Sequence, residues 1–127
     1  MDKKINVLIV EDNMVARMAA KLNLEKLGCN VETAETGEKA IEMSMANSYD
    51  IIFMDIGLGS TDGFKVTGEI REKSQKNQNT PIIALTAHDE NEYRDRAKKV
   101  GMSDYLNKPI EMSEIEKIIN SVLKIPK

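Results

Sequence analysis

Ile51-Ile52-Phe53-Met54-Asp55, running into Ile56-Gly57-Leu58-Gly59-Ser60-Thr61-Asp62-Gly63, is the stretch on which the reading of this chain turns. Four apolar residues that end in a carboxylate and a glycine-punctuated turn read as a short strand buried on both faces, as in a parallel sheet covered by helices. A turn of buried helix has the same local pattern. In open α/β sheets ligands bind at the carboxyl ends of the strands, so an acid delivered there is a candidate for chemistry. The plainer reading of Asp55 is a residue that opens a turn, which Asp often does.

Working outward, Ile5-Asn6-Val7-Leu8-Ile9-Val10 is a β-branched run that stops at Glu11-Asp12 and predicts a buried first strand. Asn13 to Leu27 repeats Val15, Met18, Ala19, Leu22 and Leu27 at helical spacing and ends at Gly28, a favoured residue just beyond a helix. Asn30-Val31-Glu32-Thr33-Ala34 alternates like a strand nearer an edge, and Gly37 to Ala46 predicts a helix with Ala40, Ile41 and Met45 inward. Beyond the central stretch, Phe64, Val66 and Ile70 mark a third helix. Pro81-Ile82-Ile83-Ala84-Leu85 is a fourth strand, with Pro at its first position, where a missing donor is tolerated. Glu90 to Val100 is a charged, sparsely anchored helix, expected to be partly solvated and mobile. Asp104-Tyr105-Leu106-Asn107 is a last strand, and Met112, Ile115, Ile118, Ile119 and Val122 form the stripe of a closing helix. Five strands alternating with five helices predict an α/β fold, a doubly wound parallel sheet in the order 2-1-3-4-5, as one domain spanning residues 1-127.

Composition narrows the function. The 127 residues carry 18 basic and 21 acidic side chains, a net charge of −3, and the basic ones are scattered, which argues against direct nucleic-acid binding. No apolar run approaches the ~20 residues of a membrane span. Met1-Asp2-Lys3-Lys4 leads straight into a strand pattern, so no secretory signal is expected. Cys29 is the only cysteine, so no disulfide framework forms and a cytoplasmic setting is the simplest expectation.

The residues that follow the strands are Glu11-Asp12, Asp55, Thr86 and Lys108. Neighbouring strands stand about 4.8 Å apart, so carboxylates from the first and third can reach one shared atom. Three carboxylates gathered without a cation repel, and a hard divalent ion with oxygen ligands, Mg2+ above all, resolves the conflict. With that ion and Lys108 the local charge balances, and a phosphoryl group on Asp55 would find the recurring parts of phosphoryl transfer around it. Singly each residue has a bland reading: Glu11-Asp12 as a helix cap, Thr86 as a turn residue, Lys108 as a solvated charge. Their convergence on one rim carries the functional reading.

Glu11-Asp12, Met54-Asp55 with Asp62-Gly63, Ala84-Leu85-Thr86-Ala87 and Tyr105-Leu106-Asn107-Lys108-Pro109 together resemble the receiver domains of two-component phosphorelays, along essentially the whole chain. The resemblance implies a flavodoxin-like sheet and a phosphoacceptor signalling domain, not a turnover enzyme. Asp55 would take a phosphoryl group from a phosphohistidine on a histidine kinase or histidine phosphotransfer domain. Glu11, Asp12, Asp55 and the Gly57 carbonyl would hold Mg2+; Thr86, the Ala87 amide and Lys108 would bind the phosphate; Thr86 and Tyr105 would switch. The resemblance further implies a partner face on the fourth helix, last strand and last helix, a possible phosphorylation-dependent dimer, and a cis Lys108-Pro109 bond. Many receivers carry proline where this chain has Gly59, and a shielding side chain where it has Gly57, so Gly57, Gly59 and Gly63 are expected to leave the loop unusually free. That glycine-rich loop and Thr86-Ala87-His88 look most like the receivers of hybrid sensor histidine kinases. His88, the only histidine, reads with Gly57 as a modulator of access to the phosphate. Three other readings stand beside this one: a receiver-like interaction module without phosphate turnover, a flavin-binding module on the same topology, and a phosphatase that uses Asp55 covalently, which Gly57 disfavours because it cannot serve as the general acid.

Overall fold

In the computed structural model, which describes residues 4–58, 62–86, 94–108 and 110–123, the chain alternates strand and helix. In chain order the elements are β1 (Asn6–Val10), α1 (Met14–Lys26), β2 (Asn30–Ala34), α2 (Gly37–Ala46), β3 (Ile51–Asp55), α3 (Gly63–Lys73), β4 (Ile82–Thr86), α4 (Arg94–Lys99), β5 (Asp104–Asn107) and α5 (Met112–Leu123). All strand pairs are parallel and the order is β2-β1-β3-β4-β5, as the sequence predicts.

The period of two along each strand divides the core into two layers. Leu8, Val10, Ile52, Met54, Ile82 and Ala84 face α2, α3 and α4. Val7, Ile9, Ile51, Phe53, Ile83 and Leu85 face α1 and α5, where Ile115, Ile118 and Ile119 close the layer. Burial on both faces explains why β3 and β4 read as unbroken apolar runs. Polar side chains close the helix ends: Asn13, Thr36 and Asp62 accept from the backbone N–H groups of Ala16, Lys39 and Lys65 and cap α1, α2 and α3.

At the opposite end of the sheet, Asn77 is fully buried and ties three segments together. Its Nδ2 donates to the Ser44 and Asn47 carbonyls at 2.6 and 2.8 Å, and its Oδ1 accepts from the Tyr49 N–H at 2.9 Å. The link fixes where β3 enters the sheet, and so where Asp55 leaves it.

Two expectations about helix faces need correction. In α1 the sheet takes Ala20 and Leu24, whereas Met14, Val15, Met18 and Leu22 are 64, 75, 60 and 54% exposed. The helix carries two apolar stripes, and the sheet takes the one that includes Ala20 and Leu24. In α2, Ala40 and Ser44 are buried and Met45 points outward.

Thr67 of α3 is fully buried, and its hydroxyl is the one buried side-chain polar atom without a hydrogen-bond partner among the described residues. An unsatisfied buried hydroxyl costs about 1–3 kcal/mol, and valine has nearly its shape. The Thr67→Val protein is therefore expected to be more stable by about 1 kcal/mol, read as a higher urea midpoint at unchanged slope.

Candidate functional site

The switch in strand order places β1 beside β3, and their register pairs Val10 with Met54. Glu11 and Asp55 are the residues that follow this pair, so both carboxyl groups emerge at the same rim. On the other side of β3, Asp55 pairs with Leu85, which brings Thr86 level with the start of the turn. Lys108 follows β5 directly, and its N–H donates to the Thr86 carbonyl at 2.7 Å.

Lys108 is the electrostatic centre of the cluster. Its Nζ lies 2.7 Å from Glu11 Oε1 and 3.1 Å from Asp55 Oδ1, with both carboxylates nearly inaccessible. Asp55 Oδ1 also accepts from the Gly57 N–H at 3.0 Å, and Glu11 Oε2 from the Asn13 N–H at 3.1 Å. Arg17 Nη1 donates to the Glu11 carbonyl at 3.0 Å, holding the corner between β1 and α1. Burial pushes the Glu11 carboxyl above its ordinary pKa. The Lys108 and Asn13 hydrogen bonds only partly oppose this, and the neighbouring Asp55 adds to it. Burial also disfavours the charge on Lys108, but its bonds to Glu11 and Asp55 outweigh that, so its pKa stands above the ordinary lysine value.

Glu11, Asp12 and Asp55 each offer a carboxylate oxygen within 4.8 Å of the others. This hard, all-oxygen donor set suits Mg2+, which takes few protein carboxylates and keeps several waters. The group lines an open cavity of about 440 Å3 together with Gly57, Thr86 and Lys108. Thr86 is buried at the end of β4, and Tyr105 of β5 is half-buried against the α2-α3-α4 layer. The predicted site residues Glu11, Asp12, Asp55, Gly57, Thr86 and Lys108 are thus brought together. Tyr105 is set to one side, and Ala87, His88, Gly59 and Pro109 lie outside the described residues.

The glycines of the turn differ in role. A Cβ on Gly57 would meet only Asp55 Oδ1, at 3.9 Å, so a side chain is sterically admissible there. A Cβ on Gly63 would fall 2.8 Å from the Ile56 Cα and against the Asp55 carbonyl oxygen. The expected freedom of Gly63 is therefore a misreading: it is buried as the first residue of α3, its N–H donates to the Ile56 carbonyl at 3.1 Å, and it allows the helix to touch the strand end.

The sequence reading gives Asp62, Phe64 and Arg96 no role in the site. They form one wall of the cavity. Arg96 Nη2 is 3.1 Å from Asp62 Oδ2, and the guanidinium lies 4.5 Å from the centre of the Phe64 ring. Arg96 sits in a charged, weakly periodic helix, so only the three-dimensional contact singles it out.

Known proteins resemble this chain in sequence and in fold. Residues 7–120 match the family model for the response regulator receiver domain. The chain is 37% identical over 135 residues to probable histidine kinase 2 of Oryza sativa subsp. indica and 35% identical over 118 residues to the aerobic respiration control sensor protein ArcB of Escherichia coli K12. Those matches cover 94 and 91% of this chain but only 13 and 15% of the two kinases. The receiver domain of the sensor histidine kinase PA1611 from Pseudomonas aeruginosa, solved with a magnesium ion in its active-site cleft, superposes with a TM-score of 0.87 at 33% identity, covering 97% of this chain and 100% of that one. The chemotaxis protein CheY4 of Vibrio cholerae gives a TM-score of 0.89 at 28% identity, covering 94% of this chain and 99% of that one.

Proposed function

The chain belongs to the response regulator receiver domain family, and from that premise we propose that it is the phosphoacceptor of a two-component phosphorelay, with Asp55 as the nucleophile. The observation that carries this reading is the meeting of Asp55, Glu11, Asp12 and Lys108 in one cavity at the sheet's carboxyl rim. The incoming bond joins an Asp55 oxygen to phosphorus as the phosphorus–nitrogen bond of a phosphohistidine breaks and its electron pair returns to the imidazole. Lys108 and the Gly57 N–H already hold Asp55 Oδ1, which fixes the carboxylate's orientation before the donor arrives. Lys108 is also the cation to which the transferred phosphoryl oxygens would pair.

Glu11, Asp12, Asp55 and the Gly57 carbonyl are the groups that would hold Mg2+. When bound, the ion would neutralise charge on the phosphoryl oxygens. The domain accepts and releases one phosphoryl group and is not a turnover enzyme on this reading. A flavin module would need a phosphate-cradling loop after β1, where Glu11 and Asp12 present negative charge instead. An interaction module without phosphate chemistry leaves the Lys108–Asp55–Glu11 geometry without a purpose. Output is assigned to the face formed by α4, β5 and α5, with Thr86 and Tyr105 biasing a pre-existing equilibrium.

The donor's approach is suggested by α1. Met14, Val15, Met18 and Leu22 form an exposed apolar stripe that starts directly after Asn13, at the phosphoacceptor rim. Such a stripe suits an amphipathic helix carrying the donor histidine. Replacing Met18 and Leu22 together by glutamate is expected to slow transfer from a phosphorylated histidine phosphotransfer domain more than tenfold, with labelling by phosphoramidate unchanged. Equal loss with both donors would place the stripe's role in folding, and no loss with either would remove the docking assignment.

A further inference from the structure

Arg96 is the cavity's second cation, and the reading above gives it no task. Its position follows from a chain of contacts. Gly63 lies against the Asp55 backbone, Asp62 is the residue before Gly63, and Asp62 holds the Arg96 guanidinium through Oδ2 at 3.1 Å. Phe64, the residue after Gly63, places its ring centre 4.5 Å from the carbon of that guanidinium. Arg96 and Asp62 therefore line the same cavity as Asp55, Thr86 and Lys108, on the wall that α4 contributes.

The geometry points to Arg96 as a phosphate-recognising residue that exchanges the Asp62 carboxylate for the phosphoryl group on Asp55, and so carries the state of Asp55 into α4. This rests on the phosphoacceptor reading. Three features favour the exchange. The Arg96–Asp62 pair is more than half exposed at the arginine and two-fifths exposed at the aspartate, and exposed pairs contribute little, so it is easily given up. Asp62 does not need Arg96, because its Oδ1 caps α3 by accepting from the Lys65 N–H at 2.7 Å. Guanidinium matches a phosphoryl dianion in both charge and hydrogen-bond geometry, better than it matches one oxygen of a carboxylate. Before phosphorylation, the four carboxylates that line the cavity among the described residues balance Lys108, Arg96 and a divalent cation; the phosphoryl group adds one further negative charge, which draws the exposed Arg96 guanidinium inward.

The consequence for α4 follows from its packing. Ala97 and Val100 rest on the α2-α3-α4 layer beside Tyr105, and the Ala97 carbonyl accepts from the Met102 N–H at 2.9 Å. A pull on Arg96 is therefore felt at the start of β5.

The test is calorimetric titration of the full chain with Mg2+ alone, and with beryllofluoride in saturating Mg2+, for wild type, Arg96→Gln and Asp62→Asn. Asparagine retains the α3 cap. Arg96→Gln is expected to weaken beryllofluoride about tenfold while Mg2+ affinity stays equal or rises. Asp62→Asn is expected to tighten beryllofluoride severalfold, and this gain should vanish in the double variant. Arg96→Gln binding beryllofluoride like wild type would overturn the exchange and leave the phosphoacceptor reading intact. Loss of Mg2+ and beryllofluoride binding in parallel would overturn it too, by assigning Arg96 a purely structural part. Failure of wild type to bind beryllofluoride at all would overturn both.

Discussion

Gly63→Ala is expected to destabilise the protein by about 2 kcal/mol, since overpacking a tight contact typically costs 1–3 kcal/mol. A Cβ there would fall 2.8 Å from the Ile56 Cα and 3.0 Å from the Asp55 carbonyl carbon. These are backbone atoms and cannot rotate away, so α3 or the end of β3 must move. Alanine's better helix propensity, worth up to ~1 kcal/mol over glycine, is too small to compensate at a first helical position. Because the displaced atoms belong to Asp55, stability and chemistry fall together. A misplacement of about 1 Å in a reacting group can cost on the order of a hundredfold in rate. Thermal melting should show a drop of roughly 5–10 °C, and labelling by phosphoramidate a loss well beyond what the folded fraction explains. A melting point within a degree of wild type would show that the turn has slack which the contact geometry denies.

Lys108→Met carries the second large effect. In the native site one ammonium group answers two nearly inaccessible carboxylates, at 2.7 and 3.1 Å. Removing one partner of a buried ion pair costs about 3–5 kcal/mol, because the remaining charge keeps its desolvation penalty. Here the loss should be near the lower bound, since Glu11 can take up a proton: burial and Asp55 already raise its pKa. Mg2+ should recover more stability in this variant than in wild type, because the carboxylates would then depend on the added ion alone. Labelling of Asp55 should fall about ten- to a hundredfold, in keeping with the loss of one charged hydrogen bond to the transferring group. Chemical denaturation with and without Mg2+ reads the first effect and rates of phosphoramidate labelling read the second. Unchanged stability in metal-free buffer would mean that Lys108 does not counter the carboxylates as the distances imply.

The fold was legible in the sequence because its central strands are buried on both sides. Ile51–Met54 and Ile82–Leu85 have no polar face to obscure them, and Asp50 and Asp55 bound the first as Pro81 and Thr86 bound the second. The helix faces were less legible where a helix bears two apolar stripes. In α1, spacing alone favours Met18 and Leu22, and only packing reveals that Ala20 and Leu24 go inward. The carboxylates and Lys108 could be found because they follow strands directly, so strand register alone brings them together. Arg96 and Gly63 could not: one reaches the cavity through a long side chain from a helix without a clear apolar stripe, and the other matters through an atom it lacks. The exposed stripe on α1 reads as core because its apolar residues recur at the spacing of a buried helix face.

The most direct test of the account is intact-mass measurement of the chain incubated with phosphoramidate and Mg2+, followed by mapping of the modified residue. Wild type is expected to gain one phosphoryl group at Asp55, in a base-labile acyl linkage, and Asp55→Asn none. An Asp55→Asn protein that acquires the group at the wild-type rate and with the same lability would contradict it.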